Sequence, residues 1–467
     1  MLKGLEVTEV NVQEIDFSDR IDAEYFSRVD LQIQSKLRQK GASELRDFCD
    51  FVASAFYPAA TQLYEIGDTP FVRCVDCISH PIITHDQDDT FEKIPRAFIE
   101  ENKGVSFLGR NDIVLTKVGT PCFASLIGEH EYVALSRTVM GLQSVHDIDP
   151  RYLMVFLRSR YGFAQLMRQR ELTIQYQLTL ERVKRILVYR PDARVEKAIC
   201  SIVDRYQEIV SRSRRTYQEA EDLLRNELGF ANWNPTHGGV STKPFSEVTS
   251  VGRIDAEYFQ PKFDAIEAKI RARFSDIVCA SEFLVEGLCK SDDDKVERYI
   301  ELADIGVNGT VESCTKAEFA DLPSRARQRV SEGQVIVSSI EGSLKSCALI
   351  TSDFDGALCS TGFHRFQTDK INPETLLLLF KSWPIQELLK RGCSGTILSG
   401  ISADSLEDIP LPILPQRVQS LLADKVRESF RLRNESKRFL DLAKFAVELA
   451  IEKGEDTALS YMMHKGT

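Results

Sequence analysis

A seven-residue segment that occurs twice constrains the fold of this chain more than any other feature. Arg20 to Phe26 reads Arg-Ile-Asp-Ala-Glu-Tyr-Phe, and Arg253 to Phe259 repeats it letter for letter. A chance match of this length arises about once in ten thousand chains of this size, so the repeat marks an internal duplication. We therefore expect the 467 residues to fold as two similar modules rather than around one core.

The similarity continues beyond the repeated segment. From Ala134 onward the two copies align without a gap at a spacing of 223 residues, so that Thr138 falls on Thr361 and Pro150 on Pro373. Each copy spans about 170 residues, which is a normal domain size.

Each copy carries the patterns of both strands and helices. Short β-branched runs at 112–116 and 334–340 are bounded by glycines and predict strands. After Asp149-Pro150, apolar residues recur at helical spacing and predict one helix, which is repeated from Pro373 onward. These patterns indicate an α+β module.

A long helix is predicted after each module. Residues 193–228 contain no proline or glycine, and 416–453 show a similar pattern. In the first helix the predicted seam consists of apolar or small residues at Ile199, Ile202, Tyr206, Ile209, Ser213, Thr216, Ala220 and Leu223. Because the seams include polar and small residues, each helix needs a partner, and we expect the two helices to pack against each other.

The order of module, helix, module and helix resembles the specificity subunit of type I restriction-modification systems. The repeated segments and the closing stretch from Gly395 to Pro412 carry the resemblance, which covers about residues 14 to 452. In the first copy the corresponding stretch, Leu172 to Tyr189, departs from the pattern because it lacks the Ile-Pro-x-Pro ending.

This resemblance implies an α+β fold with two tandem, pseudo-twofold-related target-recognition domains separated by two long helices that form an antiparallel coiled coil. The segments that follow from it are target-recognition domains at 1–190 and 243–414, a long helix with a linker at 191–242, a second long helix at 415–455, and a tail at 456–467.

The resemblance also implies a noncatalytic function. Such a chain recognises a bipartite target in double-stranded DNA, one half-site per domain, with a gap set by the helices. It positions DNA methyltransferase (modification) subunits and restriction/translocase subunits on that target. S-adenosylmethionine, ATP and Mg are expected on those partner subunits, and no cofactor is expected in this chain.

The overall charge argues against unselective coating of nucleic acid. The formal net charge is −11 and the pI is about 5.4. Basic residues are densest between Arg158 and Arg194, where nine of them face three acidic residues. The sequence shows no apolar run long enough to span a membrane and no secretory signal. The eleven cysteines suit a reducing compartment, so we expect a cytoplasmic protein without membrane contact.

No motif for catalysis or metal binding stands out. The chain has no P-loop, no dinucleotide-binding fingerprint and no His-Glu-x-x-His. Cys74 and Cys77 are interpreted as small buried residues in a strand region, because no second pair completes a zinc site. His85 with the neighbouring aspartates at 86, 88 and 89 is interpreted as an exposed acidic turn rather than a divalent-ion loop. We therefore expect no catalytic residues and no metal.

Two modules that read different half-sites need different reading residues. The identical segment is therefore interpreted as framework, with its aromatic pair in a core and its charges tying a junction. DNA contacts are expected in loops where the copies differ and where basic, amide or hydroxyl side chains occur. The candidates are Lys117, Arg137, Thr138, Arg170, Gln175, Tyr176, Ser343, Lys345, Ser360, Thr361, His364 and Arg365.

Two other functions remain open at this point. A tandem-repeat scaffold that binds proteins without recognising DNA would show the same duplication. An enzyme with two active sites would carry matched catalytic residues, but the matched pairs Asp76 with Asp304 and Thr138 with Thr361 make no acid–base or nucleophile pair.

Overall fold

The computed structural model describes residues 8–12, 15, 20–55, 61–120, 122–171, 176–233, 241–395 and 399–466. The chain divides into two compact units, and the boundaries between them fall inside two long helices. Unit 1 comprises Met1–Ser211 with Arg433–Thr467, and unit 2 comprises Arg212–Leu432. The domain boundaries proposed from the sequence stay a prediction.

The first part of unit 1 is built from short strands and helices. Its helices are α1 (Arg28–Gln39), α2 (Thr61–Tyr64), α3 (Cys74–Ser79), α4 (Arg96–Glu101), α5 (Pro150–Arg158), α6 (Arg160–Arg168) and α7 (Leu180–Val183). Its strands are β1 (Ser43–Glu44), β2 (Asp50–Val52), β3 (Thr69–Val72), β4 (Ile82–Ile83), β5 (Lys93–Ile94), β6 (Phe107–Leu108), β7 (Ile113–Thr116), β8 (Ala124–Ile127), β9 (Val133–Leu135), β10 (Val139–Gln143) and β11 (Leu187–Val188).

The remaining elements follow in chain order. The helices are α8 (Ala193–Glu227), α9 (Phe245–Val251), α10 (Pro261–Arg273), α11 (Pro373–Lys381), α12 (Trp383–Gly392), α13 (Gln416–Lys453) and α14 (Glu455–Lys465). The strands of unit 2 are β12 (Ile277–Cys279), β13 (Val296–Ile300), β14 (Thr315–Glu318), β15 (Ala326–Arg329), β16 (Val335–Ser338), β17 (Cys347–Leu349), β18 (Leu358–Ser360), β19 (Phe363–Phe366), β20 (Cys393–Ser394), β21 (Gly400–Ile401) and β22 (Pro410–Pro412).

The same strand pairing recurs in the two units. In unit 1, β10, β7 and β8 are antiparallel neighbours, and in unit 2 β19, β16 and β17 pair in the same way. Strand β9 pairs in parallel with β3 and antiparallel with β6, and β18 does so with β13 and β15. The strands predicted at 112–116 and 334–340 are confirmed as β7 and β16. The α+β modules expected from the duplication are therefore present in both units.

One step of the sequence alignment is wrong by a residue. Asp149 and Asn372 both cap a helix, which confirms the spacing of 223 from there onward. In the preceding loop, however, Thr138 N–H donates to the Ser136 hydroxyl and Gly362 N–H to the Ser360 hydroxyl. The backbone therefore places Thr138 opposite Gly362, not Thr361, because the copies differ by one residue between strand and helix.

The single helix predicted after each Asx-Pro pair is also wrong. Ser159 ends α5 and caps α6, with its hydroxyl donating to the Phe156 carbonyl at 2.6 Å. Ser382 separates α11 from α12 at the equivalent position, where its hydroxyl donates to the Leu379 carbonyl at 2.6 Å without also capping α12. The turn is tight, because a Cβ on Gly162 would come within 2.2 Å of the Phe156 carbonyl oxygen. A serine that serves both helix ends carries no strong break signal in the sequence.

The long helices pair within each unit. In unit 1, Ile199 and Val203 of α8 share a buried cluster with Ala443 and Val447 of α13. In unit 2 the hydroxyl groups of Ser213 and Ser429 each donate to the other residue's carbonyl at 2.8 Å.

The direction and the seam of this pairing follow from unit 2. Lys425 of α13 pairs with Glu219 of α8 at 2.6 Å, whereas the later Ser429 contacts the earlier Ser213. Residue numbers thus rise along one helix as they fall along the other, so α13 runs antiparallel to α8 there, as expected. The predicted seam of α8 holds as far as Ser213, but then Tyr217 and Leu224 are buried instead of Thr216 and Leu223. Ala220 of the predicted seam stays buried between them, and at the first of the two changed positions the larger Tyr217 is buried in place of Thr216.

In unit 1 the repeated segment clamps a helix end. The Arg20 guanidinium pairs with both oxygens of Asp22 at 2.5 and 2.6 Å, and Asp22 also accepts the Tyr25 N–H. Arg20 then donates to the carbonyls of Arg168 and Arg170 at 3.0 and 2.6 Å. These carbonyls stand at the end of α6, where backbone oxygens lack helical donors.

The second copy of the segment makes the same contacts. Arg253 pairs with Asp255 at 2.8 and 3.0 Å and donates to the carbonyls of Arg391 and Cys393 at 3.3 and 2.9 Å. Arg391 also lies over the Tyr258 ring, with its guanidinium carbon 4.5 Å from the ring centroid. In both copies the charges therefore tie a junction, as the interpretation of the repeat as framework expects. The aromatic pair lies in a core only in unit 2, where Tyr258 and Phe259 are buried, whereas Tyr25 and Phe26 are half-buried in unit 1.

Among the described residues, no helix combines the length and the apolar character needed to cross a membrane.

We expect the clamp to be worth far more than an ordinary surface ion pair. Arg253→Met removes the guanidinium from two carbonyls and from the Asp255 carboxylate, which keeps only the Tyr258 N–H, and should lower the free energy of unfolding by about 2–3 kcal/mol. Arg271→Met, which removes a half-exposed pair with Glu267, is the control and should cost less than about 1 kcal/mol. Denaturant unfolding of the two variants measures the difference, and equal losses would contradict the clamp.

The clamp also predicts a pH dependence. The hydrogen bonds from Arg253 hold the pKa of the Asp255 carboxyl below its usual value. The stability that this pairing adds is therefore present above about pH 4 and is lost as the pH falls further, when the carboxylate protonates. The difference between the wild type and Arg253→Met in urea titrations should shrink over that range, and a constant difference would argue against the pairing.

Candidate nucleic-acid interface

Three loops of unit 1 are joined by backbone hydrogen bonds. The N–H groups of Lys117 and Val118 both donate to the Thr138 carbonyl, at 2.9 and 3.2 Å. Leu178 N–H donates to the Lys117 carbonyl at 2.8 Å, and Val118 forms a β-bridge with Gln177. The loop after β7, the loop between β9 and β10, and the segment after α6 therefore lie side by side.

Unit 2 repeats this arrangement except at one bond, because the N–H of Ile340, the counterpart of Val118, donates to the Ser338 hydroxyl at 3.1 Å. Ser339 N–H donates to the Gly362 carbonyl at 2.9 Å, and Ile401 N–H donates to the Ser339 carbonyl at 2.8 Å. Ile340 forms a β-bridge with Gly400. The structure thus brings together, within each unit, the divergent loops that the sequence identified separately. We call this set of bonds the loop frame.

A buried serine holds the middle loop of each frame. Ser136 and Ser360 are 7% and 4% exposed, and each hydroxyl accepts the N–H two residues further on. In unit 1 the Ser136 and Thr138 hydroxyls are also 2.6 Å apart, and Cys74 N–H donates to the Thr138 hydroxyl at 3.3 Å. We therefore expect Ser360, although a sequence candidate, to shape its loop rather than to contact a ligand.

Two cations stand beside the frame of unit 1. Lys117 is half-buried and Arg137 is exposed. Partial burial, together with the positive charge of Arg137, lowers the pKa of the Lys117 ammonium. A bound anion would relieve both effects, so the position favours a phosphate.

Arg170 and Tyr176 form a stacked pair at the third loop. The guanidinium carbon of Arg170 lies 4.2 Å from the centroid of the Tyr176 ring, and Arg170 Nε donates to the Met167 carbonyl at 2.9 Å. Glu24 makes a longer ion pair with Arg170 at 3.5 Å. Tyr176 remains 42% exposed, which leaves its ring accessible. Gln175, the third candidate of this loop, lies outside the described residues.

The frame of unit 2 presents a different set of groups. Lys345 and Thr361 are exposed, whereas the Ser343 hydroxyl is 2.8 Å from that of Ser338. His364 Nε2 donates to the Ile401 carbonyl at 2.9 Å, and burial lowers the pKa of this imidazole, which favours the neutral form. The second frame is therefore less basic than the first.

The structure gives Arg365 a place inside the protein. Its side chain is 6% exposed and donates to the carbonyls of Arg329 and Gly287 at 2.6 and 2.7 Å. A guanidinium engaged in this way cannot reach a base edge, so the choice of Arg365 as a DNA contact needs correction. The sequence suggested an open loop, but the arginine lies on strand β19 and points into the unit.

The basic stretch from Arg158 to Arg194 does not make a continuous positive surface. Most of its side chains have partners within unit 1. The pairs are Arg158 with the Ala124 carbonyl, Arg160 with Glu452, Arg168 with the Tyr25 carbonyl, Arg182 with Glu171, Lys184 with Glu181, and Arg194 with Asp192. Sequence charge alone could not show this pairing, because several partners are distant along the chain.

The Cys74/Cys77 pair lies in helix α3 rather than in a strand. Cys77 is fully buried, whereas Cys74 is half-buried and its thiol lies 3.3 Å from the Thr120 carbonyl oxygen. Neither cysteine belongs to a group of possible metal ligands within the described ranges. The absence of zinc at this pair stays a prediction, and the strand assignment is wrong.

Sequence reasoning missed Ser339, whose hydroxyl and N–H both contact the Gly362 carbonyl, at 3.0 and 2.9 Å. It is the counterpart of Lys117 in the frame, as the shared bonds to the neighbouring loops show. The residue carries no chemical signal of its own. Only the one-residue correction of the alignment reveals its place.

Comparison with known proteins finds similar solved structures. They include the HsdS subunit from Thermoanaerobacter tengcongensis, with 25% identity over 38% of this chain and a TM-score of 0.28. They also include the S subunit of a type I restriction-modification system from M. genitalium, with 10% identity, coverage of 90% of this chain and 95% of that one, and a TM-score of 0.35. A structure of a type I R-M system shares 13% identity over 86% of this chain and 96% of that one, with a TM-score of 0.30.

The chain spans about half the length of the Thermoanaerobacter tengcongensis subunit, 48%. No protein-family model and no curated protein matches the chain. The solved structures that are similar to this chain therefore include S subunits, the class of protein that the sequence resembles. With TM-scores of 0.28 to 0.35, the function has to be argued from this chain's own residues.

The two kinds of basic residue near the second frame should behave differently on substitution. Arg365→Met removes two buried hydrogen bonds from a charged donor and should lower the free energy of unfolding by about 2–3 kcal/mol. Lys345→Met alters an exposed side chain and should change it by less than about 0.5 kcal/mol. Thermal and urea unfolding measure both, and an unchanged stability of Arg365→Met would contradict the structural role of this arginine.

Proposed function

We propose that this chain is a noncatalytic DNA-specificity subunit of a type I restriction-modification system. One observation carries the proposal: the same loop frame occurs in both units and presents different side chains in each. Backbone hydrogen bonds hold the frame, so the side chains can vary without loss of the fold. A protein that reads two unlike half-sites needs this combination of constant frame and variable surface.

Each unit would recognise one half-site of a bipartite target in double-stranded DNA. In unit 1, Lys117 and Arg137 suit phosphate oxygens, and the exposed ring of Tyr176 suits a sugar or base face. In unit 2, Lys345 and Thr361 are the accessible candidates. The groups differ in charge and shape, which supports two different half-sites rather than a palindrome.

The proposed partners supply what this chain lacks. The net charge of −11 leaves little general attraction for DNA, and many arginines are used within the protein. DNA methyltransferase (modification) subunits and restriction/translocase subunits would add phosphate contacts and would carry S-adenosylmethionine, ATP and Mg. The chain's own task would then be to place them on the target.

Selection from random duplexes tests the proposal. The full chain, assembled with the modification subunits of its own system, should enrich a consensus of two short conserved blocks separated by a gap of fixed length and free sequence. Enrichment of one contiguous block, or no enrichment over the modification subunits alone, would contradict the proposal.

Substitutions in the two frames should have separate effects. Lys117→Ala should weaken binding. The slope of the logarithm of the affinity against the logarithm of the salt concentration should become shallower by about one, as expected for loss of one phosphate contact. Thr361→Val should instead relax base preference in one block only. Lys103→Ala, an exposed lysine of unit 1 away from the frame, is the control. Identical consensus blocks in all three variants would argue against reading by the frames.

The helices should set the gap between the half-sites. Inserting seven residues into both α8 and α13, between 211 and 212 and between 432 and 433, preserves the seam and lengthens each helix by about 10 Å. The gap should then grow by about three base pairs while both blocks keep their sequence. A change in the blocks with an unchanged gap would show that the helices do not act as the spacer.

A further inference from the structure

Two parallel strands of unit 1 end side by side and direct two loops to the same edge. Ile82 and Ile83 of β4 pair with Leu126 and Ile127 of β8. The loop after β4 begins a 3₁₀ turn at His85, and the loop after β8 leads to His130. Residues that are 45 positions apart are thereby brought together, since the carboxyl ends of parallel strands meet at one edge.

A carboxylate lies between the two imidazole rings. Asp88 Oδ1 is 2.6 Å from His130 Nε2, and Asp88 Oδ2 is 3.3 Å from His85 Nδ1. The ring centroids of the two histidines are 4.1 Å apart. One potential ligand atom from each of the three residues lies within 4.8 Å of the other two. Ligand atoms of a four-coordinate metal are about 3.4 Å apart, given bonds of about 2.1 Å, so small shifts suffice.

The cluster combines burial with an opening to solvent. His130 is only 3% exposed, and its Nδ1 is buried without a hydrogen-bond partner. The His85 side chain, by contrast, is 60% exposed and Asp88 is 33% exposed. A buried imidazole therefore anchors the cluster from inside, and an ion could enter from the side of His85. Asp89 and Glu129 add negative charge nearby.

Hydrogen bonds from both backbone and side-chain groups hold the two loops firmly. Gln87 Nε2 donates to the Ile82 carbonyl, Gly128 N–H donates to the Ile83 carbonyl, both at 2.9 Å, and Glu129 accepts the His85 N–H at 3.1 Å. The approach is close, since a Cβ on Gly128 would lie 2.9 Å from Ile82 Cγ2. Ligands on such a support are positioned before any ion arrives, which lowers the entropic cost of binding.

We propose that His85, Asp88 and His130 bind a zinc ion that clasps these two loops of unit 1. Two imidazoles and one carboxylate suit Zn²⁺, whereas Ca²⁺ and Mg²⁺ prefer oxygen ligands throughout. Water completes the coordination. The site departs from the expectation of a metal-free chain, because sequence reasoning saw the aspartates but not His130. It belongs to the first module alone, since His364 is the only histidine between residues 243 and 414.

Zinc binding to the full chain tests the site directly. After chelator treatment and desalting, titration calorimetry with zinc chloride should give one equivalent per chain. His85→Ala removes a mostly exposed ligand and should leave the fold intact. It should weaken zinc binding by about 100-fold or more, beyond the 10- to 100-fold typical of losing an outer-shell partner. His146→Ala, an exposed histidine of the same unit, should bind as the wild type does.

Cobalt spectroscopy separates this site from the eleven thiols, all of which are free. Co²⁺ bound by nitrogen and oxygen shows visible bands without the near-ultraviolet charge transfer of a thiolate ligand. Asp88→Asn, which keeps the side-chain shape, should also weaken binding. Zinc held equally well by His85→Ala, a thiolate band as the only signal, or a dissociation constant above about 1 mM would each overturn the proposal. None of these readouts involves DNA, so the result is independent of the proposed function.

Discussion

The loop frame is the constraint on which the variable surface of each unit depends. Its bonds join backbone groups, at Lys117, Thr138 and Leu178 in unit 1 and at Ser339, Gly362 and Ile401 in unit 2. Backbone bonds do not require particular side chains, so the residues on the frame are free to differ. A lysine in one copy and a serine in the other make the same N–H and carbonyl contacts.

The repeated segment has the opposite character, because its contacts are made by side chains and therefore require particular residues. Arg20 and Arg253 each satisfy one carboxylate and two carbonyls at a helix end, and no other residue offers that fork of donors. This geometry accounts for the identical arginine, aspartate and tyrosine of the two copies. It also fixes the start of each module against its helix pair, α5–α6 or α11–α12, from which the third loop of the frame departs.

The sequence predicted the duplication, the strands β7 and β16 and both long helices, because these depend on local patterns and on the comparison of two copies. It missed what depends on tertiary contacts. Ser159 splits a helix by capping both sides, Arg365 turns inward to two carbonyls, and Arg160 and Arg168 find partners far along the chain. His130 meets His85 only through the parallel pairing of β4 with β8.

The most direct test exchanges a whole module within the chain. In the chimera, a second copy of residues 253–413 replaces residues 20–190, so that both modules have the sequence of the second one. If each frame reads its own half-site, this chain should select the block of the second module twice from random duplexes. The block formerly read by the first module should disappear. Retention of both original blocks would mean that the bases are read elsewhere, and the two frames would lose their proposed role.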